Sequence, residues 1–448
     1  MADILRSVGL DVGTTSTQLI LSELTVENRA GSFSVPEMSI TNRKILYQSP
    51  IHFTPLLGTD RVDGQALRAL VEGEYRSAGI TRNQVDTGAV IITGETSRKE
   101  NAETVLQELS GFAGDFVVAT AGPDLESILA ARGSGAADRS AATGKAVLHM
   151  DIGGGTSNLA LIRDGKIHAT GCLNVGGRLL KYDESGTVTY ISPVLSGLSA
   201  LRPGQKISES HLEDLSGILV QALEMSAGLR APTSLLSHFT TPGTHMDPPQ
   251  ESVTLSFSGG VADCIGSDHP WNAYGDLGPT LGRAIRRSRL CENFFLGRET
   301  IRATVIGAGC HSTQLSGSTV FHRNIAFPLK NLPVLPVPSD NIPIFLSGEL
   351  SKQETIPVLA LPPMAQDYPT LTALADALSA LPHRGPWLLA MEQDMAKALG
   401  QALALRLPKE TPILCIDRVR LNADNYLDVG APIGPALPLV VKTIVFNR

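Results

Sequence analysis

Two short loops constrain this chain more than any other feature: Gly9-Leu10-Asp11-Val12-Gly13-Thr14-Thr15-Ser16-Thr17 and Met150-Asp151-Ile152-Gly153-Gly154-Gly155-Thr156-Ser157. Each follows a short apolar run, residues 8–10 and 146–150, of the kind that forms a buried strand. A second β-forming run comes directly after each loop, at 18–21 and 158–162, so each loop is expected at the tip of a hairpin. Glycines let backbone N–H groups come close to phosphate oxygens, and threonine hydroxyls add donors. The Asp carboxylates repel phosphate and are suited instead to a hydrated Mg²⁺ that phosphates share. Taken singly, either loop is equally well a tight turn using Asp and Gly for their φ/ψ tolerance. The matched pair is what points to a polyphosphate held from two sides. No Gly-Lys-Ser/Thr follows either loop and no helix opens there, which excludes a Walker A loop and a dinucleotide fingerprint.

With 448 residues the chain has room for two or three domains. Apolar residues make up 42% but aromatic ones only 5%, so the cores should be aliphatic. The net charge of −7 comes with no basic block, which argues against nucleic-acid binding. The five cysteines are scattered without a CxxC pair, suggesting neither a zinc site nor a disulfide framework and fitting a reducing cytoplasm. No apolar run approaches membrane-spanning length, and with a first strand expected from Val8 no signal peptide is expected.

Three regions are expected: a first lobe over 1–144, a second over 145–300 and a C-terminal region over 301–448. The first lobe should hold helices at 63–78, 99–109 and 124–132, and strands at 89–92 and 116–119. Residues 133–144 suggest a hinge or crossover. In the second lobe a helix is expected from Arg178, another over 208–228, a surface loop over 231–251, a strand over 253–257 and a helix over 280–289. Past residue 301 the pattern suggests a strand at 303–306 carrying Gly307 to His311, a Pro-rich boundary at 328–343, helices at 371–381 and 391–405, and a final strand at 439–446.

These motifs, in this order, resemble the actin, heat-shock chaperone and sugar kinase ATPase superfamily. Residues 9–17 resemble its first phosphate motif and 150–157 its second. Val175-Gly176-Gly177 resembles the Gly-Gly of the chaperone branch, and 257–263 the adenosine motif. The resemblance implies a two-lobed actin-like (RNase H-like) α/β fold with ATP and Mg²⁺ in the cleft between lobes. It implies Mg²⁺ held through water by Asp11 and Asp151. The phosphates would lie between Gly13, Thr14 and Thr15 on one side and Gly153, Gly154, Gly155 and Thr156 on the other. Gly176 and Gly177 would close on the ribose or a neighbouring backbone, with Ser258, Gly259 and Gly260 beneath the adenosine. Glu95, in Thr93-Gly94-Glu95-Thr96-Ser97, is the candidate for orienting the attacking water; it is equally well a helix-entry residue paired with Arg98 or Lys99.

The segments 92–102, 307–319 and 428–444 narrow the resemblance to the ethanolamine ammonia-lyase reactivating factors. Such proteins are slow ATPases acting as chaperones. They free damaged cobalamin from inactivated ethanolamine ammonia-lyase so that intact adenosylcobalamin can enter. The resemblance implies ethanolamine degradation, a cytoplasmic setting associated with a bacterial microcompartment, and allows a homodimer. Two other classes stay open on the residues alone: a small-molecule kinase, needing a base aimed at a substrate hydroxyl, and an actin-like filament former. His311 invites comparison with a cobalt ligand, but a lone His among glycines is more ordinarily a hydrogen-bonded turn residue.

Overall fold

The computed structural model describes residues 3–13, 16–30, 38–57, 61–92, 109, 118–119, 123–317, 319–352, 355–383, 385–423 and 425–443. The expected loop at 93–97 and helix at 99–109 therefore lie outside the described residues, apart from Leu109. Thr14, Thr15 and Glu95 lie outside them too.

Apolar runs with few polar interruptions become strands covered on both faces. In the first sheet, Asp3–Val12, Ser16–Asn28 and Met38–Gln48 form an antiparallel meander. Thr87–Ile92 then joins Asp3–Val12 in parallel, and Val118–Ala119 lies beyond it. In the second sheet, Val147–Ile152, Ser157–Arg163 and Lys166–Leu173 form the meander. Thr254–Ser258 joins Val147–Ile152 in parallel, and Phe294–Leu296 follows. The two sheets share one strand order. That repeat of a meander plus two parallel strands is the actin-like α/β architecture that the superfamily resemblance implies.

Capping fixes the helices on these sheets. Asp63 accepts the Ala66 N–H at the start of Gly64–Ser77, which buries Leu67, Val71 and Tyr75 in the first core. Ser208 caps Glu209–Ser226, whose Leu212, Leu215, Leu219 and Leu223 fill the second core. Helices also cross between the lobes. Pro123–Gly133 and Ala136–Thr143 pack on the second sheet, where Ala131, Ala136 and Ala137 meet Val147, Ala160 and Ile162. In return, Ala303–His311 lies on the first sheet, with Val305, Ile306 and Cys310 against Ile20.

This last helix corrects the strand expected at 303–306. The β-branched run Thr304-Val305-Ile306 suggests a strand, but residues 303–310 are buried all round, and packing overrides propensity. Its glycines are the reason. A Cβ on Gly307 would overlap the Leu129 carbonyl, and one on Gly309 would stand 2.7 Å from Ile20 Cδ1. Gly133, on the partner helix, likewise has no room for a Cβ beside the Ala303 carbonyl.

Other expectations change too. Residues 136–143, where a hinge or crossover was expected, are helical between Gly135 and Gly144, which take φ of +79° and +64° and so end the helix cleanly. No helix begins at Arg178; the chain turns into the strand Leu180–Tyr182 because Gly177 and Arg178 bond to the second hairpin. The loop at 231–251 contains the helix Ser234–Phe239, anchored by fully buried Phe239. The helix expected at 391–405 begins later, as Ala396–Arg406.

The Pro-rich stretch is no boundary. Leu329–Pro336 is a strand inside a third sheet, paired with Val358–Ala360 on one side and Asn425–Val429 on the other. That eight-stranded sheet runs in the order Gln314–Leu315, Pro438–Thr443, Asn425–Val429, Leu329–Pro336, Val358–Ala360, Trp387–Ala390, Ile413–Ile416, Phe321–Arg323. Helices Tyr368–Ser379 and Ala396–Arg406 cover it through Leu371, Leu374, Leu399 and Leu403 against Leu359, Trp387 and Leu389. Val440 reaches Ala89, Ile91, Leu129 and Ala308, joining this sheet to the first.

Candidate functional site

Both glycine loops are hairpin tips closed by the same bond. The Gly13 N–H donates to the Ser16 carbonyl at 2.9 Å, and the Gly153 N–H to the Thr156 carbonyl at 2.9 Å. Asp11 and Asp151 occupy equivalent places on the entering strands. Each stands directly across its hairpin from a side-chain amide, Asp11 from Gln18 and Asp151 from Asn158. Directly paired residues of an antiparallel ladder share a face, so carboxylate and amide lie side by side.

Asp11 is half-buried, and Asp151 is buried. Asp151 accepts from the Ser258 hydroxyl and, at 3.5 Å, from the Thr304 hydroxyl. Burial pushes its carboxyl up to about 6, while the Ser258 and Thr304 bonds pull it down. Behind it, His149 bonds Ser256 at 3.1 Å and Ser258 at 2.9 Å; burial lowers this imidazole to about 3 and keeps it neutral.

Segment 301–304 touches both hairpins. The Gln18 amide donates to the Ile301 carbonyl at 3.4 Å, and Thr304 donates to Asp151. The same helix presses on the first strand at Gly9, where a Cβ would stand 2.5 Å from the Val305 carbonyl. The first- and second-hairpin candidates are thus joined through one short stretch of chain.

Two buried amide oxygens, Gln18 Oε1 and Asn158 Oδ1, have no hydrogen-bond partner among the described residues. Each lies beside one of the two aspartates. Carboxylates and unpartnered amide oxygens are the donor set that a hydrated hard cation and its waters satisfy. The site therefore fits Mg²⁺ held through water.

Gly176 packs so closely on the second tip that a Cβ would overlap the Gly154 carbonyl. The Gly177 N–H donates to the Gly153 carbonyl at 3.0 Å and the Arg178 N–H to the Gly154 carbonyl at 2.6 Å. The backbone that approaches this glycine pair is thus the tip itself. Gly259, at φ +85°, passes against Ile152, where any Cβ would strike the carbonyl; Gly260 is open. Gly154 itself is not left-handed; a Cβ there would meet Arg178 Cδ at 3.4 Å, and Gly155 is open.

Three functional candidates escaped the sequence. Arg178 brings a cation to the second tip, steadied by Asp276 at 3.3 Å; the Arg following Gly176-Gly177 was the available signal. Glu126 is buried near the same tip and accepts from Asn158 Nδ2 at 2.8 Å. Thr304 reaches Asp151 only because its segment is helical. His311 ends the helix Ala303–His311; burial, with Arg43 and Arg132, lowers its imidazole to about 3 and keeps it neutral. Among the described residues no group of three or more His, Cys, Asp or Glu could hold a metal.

The family model of the ethanolamine utilisation protein EutA matches residues 3–447. The chain belongs to the EutA family. It is 39% identical to the ethanolamine ammonia-lyase reactivase EutA of Salmonella typhimurium, over 99% of this chain and 98% of that protein. It is 38% identical, over the same shares, to the Escherichia coli protein of that name. Among solved structures, EutJ from Carboxydothermus hydrogenoformans is 17% identical, with a TM-score of 0.34, covering 68% of this chain and 89% of that one. The Clostridium difficile activator of 2-hydroxyisocaproyl-CoA dehydratase, with bound ADPNP, is 13% identical with a TM-score of 0.33, covering 68% and 93%. No described helix of this EutA-family chain is long and apolar enough to cross a membrane.

Proposed function

We propose that this chain is an ATP-dependent reactivating chaperone that frees damaged cobalamin from ethanolamine ammonia-lyase so that intact adenosylcobalamin can bind. The observation that carries this reading is the near-full-length identity to proteins named as reactivases of that lyase. The paired hairpins supply the physical means. Asp11 and Asp151 would hold hydrated Mg²⁺, with Gly13, Thr14 and Thr15 and then Gly153, Gly154, Gly155 and Thr156 around the phosphates. When bound there, Mg²⁺ would supply charge neutralisation to the phosphates that these residues hold. Arg178 adds positive charge at the second tip. Glu95 or buried Glu126 orients the attacking water. Ser258 holds Asp151, and Gly259 and Gly260 lie beneath the adenosine.

Segment 301–304 gives such a site mechanical reach. A change in Asp151 on nucleotide binding pulls on Thr304, hence on the helix packed against the first sheet and against Pro123–Gly133. The lobes thereby change their relation, and the lyase-binding form is favoured or disfavoured. We place the protein in the cytoplasm at a bacterial microcompartment, as a slow ATPase that allows a homodimer.

The test uses cyanocobalamin-inactivated lyase with free adenosylcobalamin. Ammonia release should return only when this chain and Mg²⁺-ATP are both present, and Asp11→Ala should abolish it. No recovery, with phosphate appearing on a small alcohol, would assign the chain to the kinases.

A further inference from the structure

One side chain lies along the tip of the second hairpin. A Cβ on Gly154 would meet Cδ, Cβ and Cγ of Arg178 at 3.4, 3.5 and 3.6 Å. The Arg178 stem is thus laid on the loop that the chain offers to phosphates, and the Arg178 N–H anchors it by donating to the Gly154 carbonyl at 2.6 Å. Beyond the stem, Nε donates to Asp276 Oδ2 at 3.3 Å. Among the described residues the guanidinium has no other partner. Nε is the atom that Asp276 holds, so the Nη edge is left for another acceptor. The side chain is 35% exposed, within reach of a ligand at the tip.

Asp276 is buried and fixed independently of Arg178. Its Oδ1 accepts the Gly278 N–H at 2.8 Å, at the start of the helix Gly278–Arg286. The residues on either side of it are stitched to the chain that follows the tip. The Leu277 N–H donates to the Gly177 carbonyl at 2.8 Å, and the Tyr182 N–H to the Gly275 carbonyl at 2.9 Å. Burial pushes the Asp276 carboxyl up, while the Gly278 N–H and the Arg178 charge pull it down. A buried carboxylate needs a cation, and that need alone would account for an arginine here. A pair built only for charge balance meets fork to fork, through two short parallel bonds. Contact through Nε at 3.3 Å instead orients the guanidinium without saturating it.

We propose that Arg178 contacts a phosphate of the nucleotide directly and that Asp276 is its positioning residue, an inference that rests on the nucleotide reading of the glycine hairpins. The Nη edge of a guanidinium matches two phosphate oxygens at once, which a lysine ammonium does not. Asp276 and the Gly154 contact hold that fork at the tip before a ligand arrives, so little side-chain freedom is lost on binding. The same carboxylate carries the contact past the tip. It bonds the first residue of Gly278–Arg286, and in that helix Thr280 accepts from Ser216 of Glu209–Ser226 at 3.1 Å. A phosphate that draws Arg178 toward it therefore loads segment 275–278 and the two helices behind it.

The test is calorimetric binding of Mg²⁺-ADPNP, and of adenosine as the ligand without phosphate, to the full-length protein. Arg178→Met should weaken ADPNP at least tenfold and leave adenosine unchanged, and Arg178→Lys should recover little of the loss. Asp276→Asn should weaken ADPNP in the same direction by a smaller factor. Added to Arg178→Met it should cost nothing further, because Asp276 acts only through Arg178. Additive losses, or an equal loss of adenosine, would overturn the inference and make the pair a structural one. Should Asp276→Asn fail to fold, Arg178→Met answers alone: ADPNP affinity equal to wild type would overturn the contact. Binding of ADPNP that depends on Arg178, with no return of lyase activity, would overturn the proposed function and uphold this contact. Wild type that binds no ADPNP would overturn both.

Discussion

Asp151 holds its charge against burial, and that has a measurable cost. A rise from the ordinary 3.8 to about 6 amounts to about 3 kcal/mol against folding at neutral pH, before relaxation is allowed for. The sign follows from which form the fold prefers. A raised folded pKa favours the protonated acid, so this contribution is fully present below pH 3.8 and is lost as pH rises through 6. Asp151→Asn keeps an acceptor for Ser258 and removes the charge. Its nucleotide- and metal-free Tm at pH 7.5 should exceed that of wild type, and the gap should shrink as pH falls toward 4.5. The same variant should lose Mg²⁺-ATP binding by calorimetry. A site that gives up stability for a charge is arranged for a ligand. The glycines make a second residue-scale case. Gly176→Ala forces its Cβ into the Gly154 carbonyl and should weaken nucleotide binding at least tenfold, whereas Gly155→Ala meets nothing and should change it little. Equal effects of the two would mean that the tip's shape does not set the affinity.

The helix Ala303–His311 is the element on which most depends. It touches the first sheet at Gly9, the helix Pro123–Gly133 at Leu129 and Gly133, and the second hairpin at Asp151. Gly133→Ala must displace the Ala303 carbonyl, and overpacking of this kind costs about 3 kcal/mol. Chemical denaturation should show a lower midpoint with the slope unchanged, their product falling by that amount. Thr304→Val keeps shape and helix burial but removes the donor to Asp151. It should leave the fold intact and lower the dependence of activity on ATP, which steady-state ATPase rates with and without lyase would show.

At the scale of the whole molecule, a nucleotide can alter lyase binding only through differential affinity for two conformations, and the coupling is reciprocal. Whichever nucleotide strengthens lyase binding should itself bind the complex more tightly by the same factor. Pull-down of ethanolamine ammonia-lyase should therefore differ between ADP and ATP, with damaged cobalamin released under one of them. Identical capture under both would remove the chaperone cycle.

The sequence by itself determined the two hairpins and the aspartates at their strand ends, because hydrophobic period and glycine punctuation are local signals; the strand order the two sheets share is set by long-range parallel pairing. The sequence also carried the family, through motifs spread over the whole chain. It did not show that 303–311 is a helix, because close contacts at Gly307 and Gly309 outweigh a β-branched run. Nor did it show that Leu329–Pro336 lies inside a sheet, since prolines are tolerated where ladder bonds are not needed from their nitrogens. Glu126, Arg178 and Thr304 became candidates only when distant segments met around the second hairpin. Asp276 is an ordinary acid in the sequence; only the fold sets it between Arg178 and the start of the helix Gly278–Arg286. Local chemistry is written in neighbouring residues, whereas convergence of charge and loss of water depend on what the fold brings beside them.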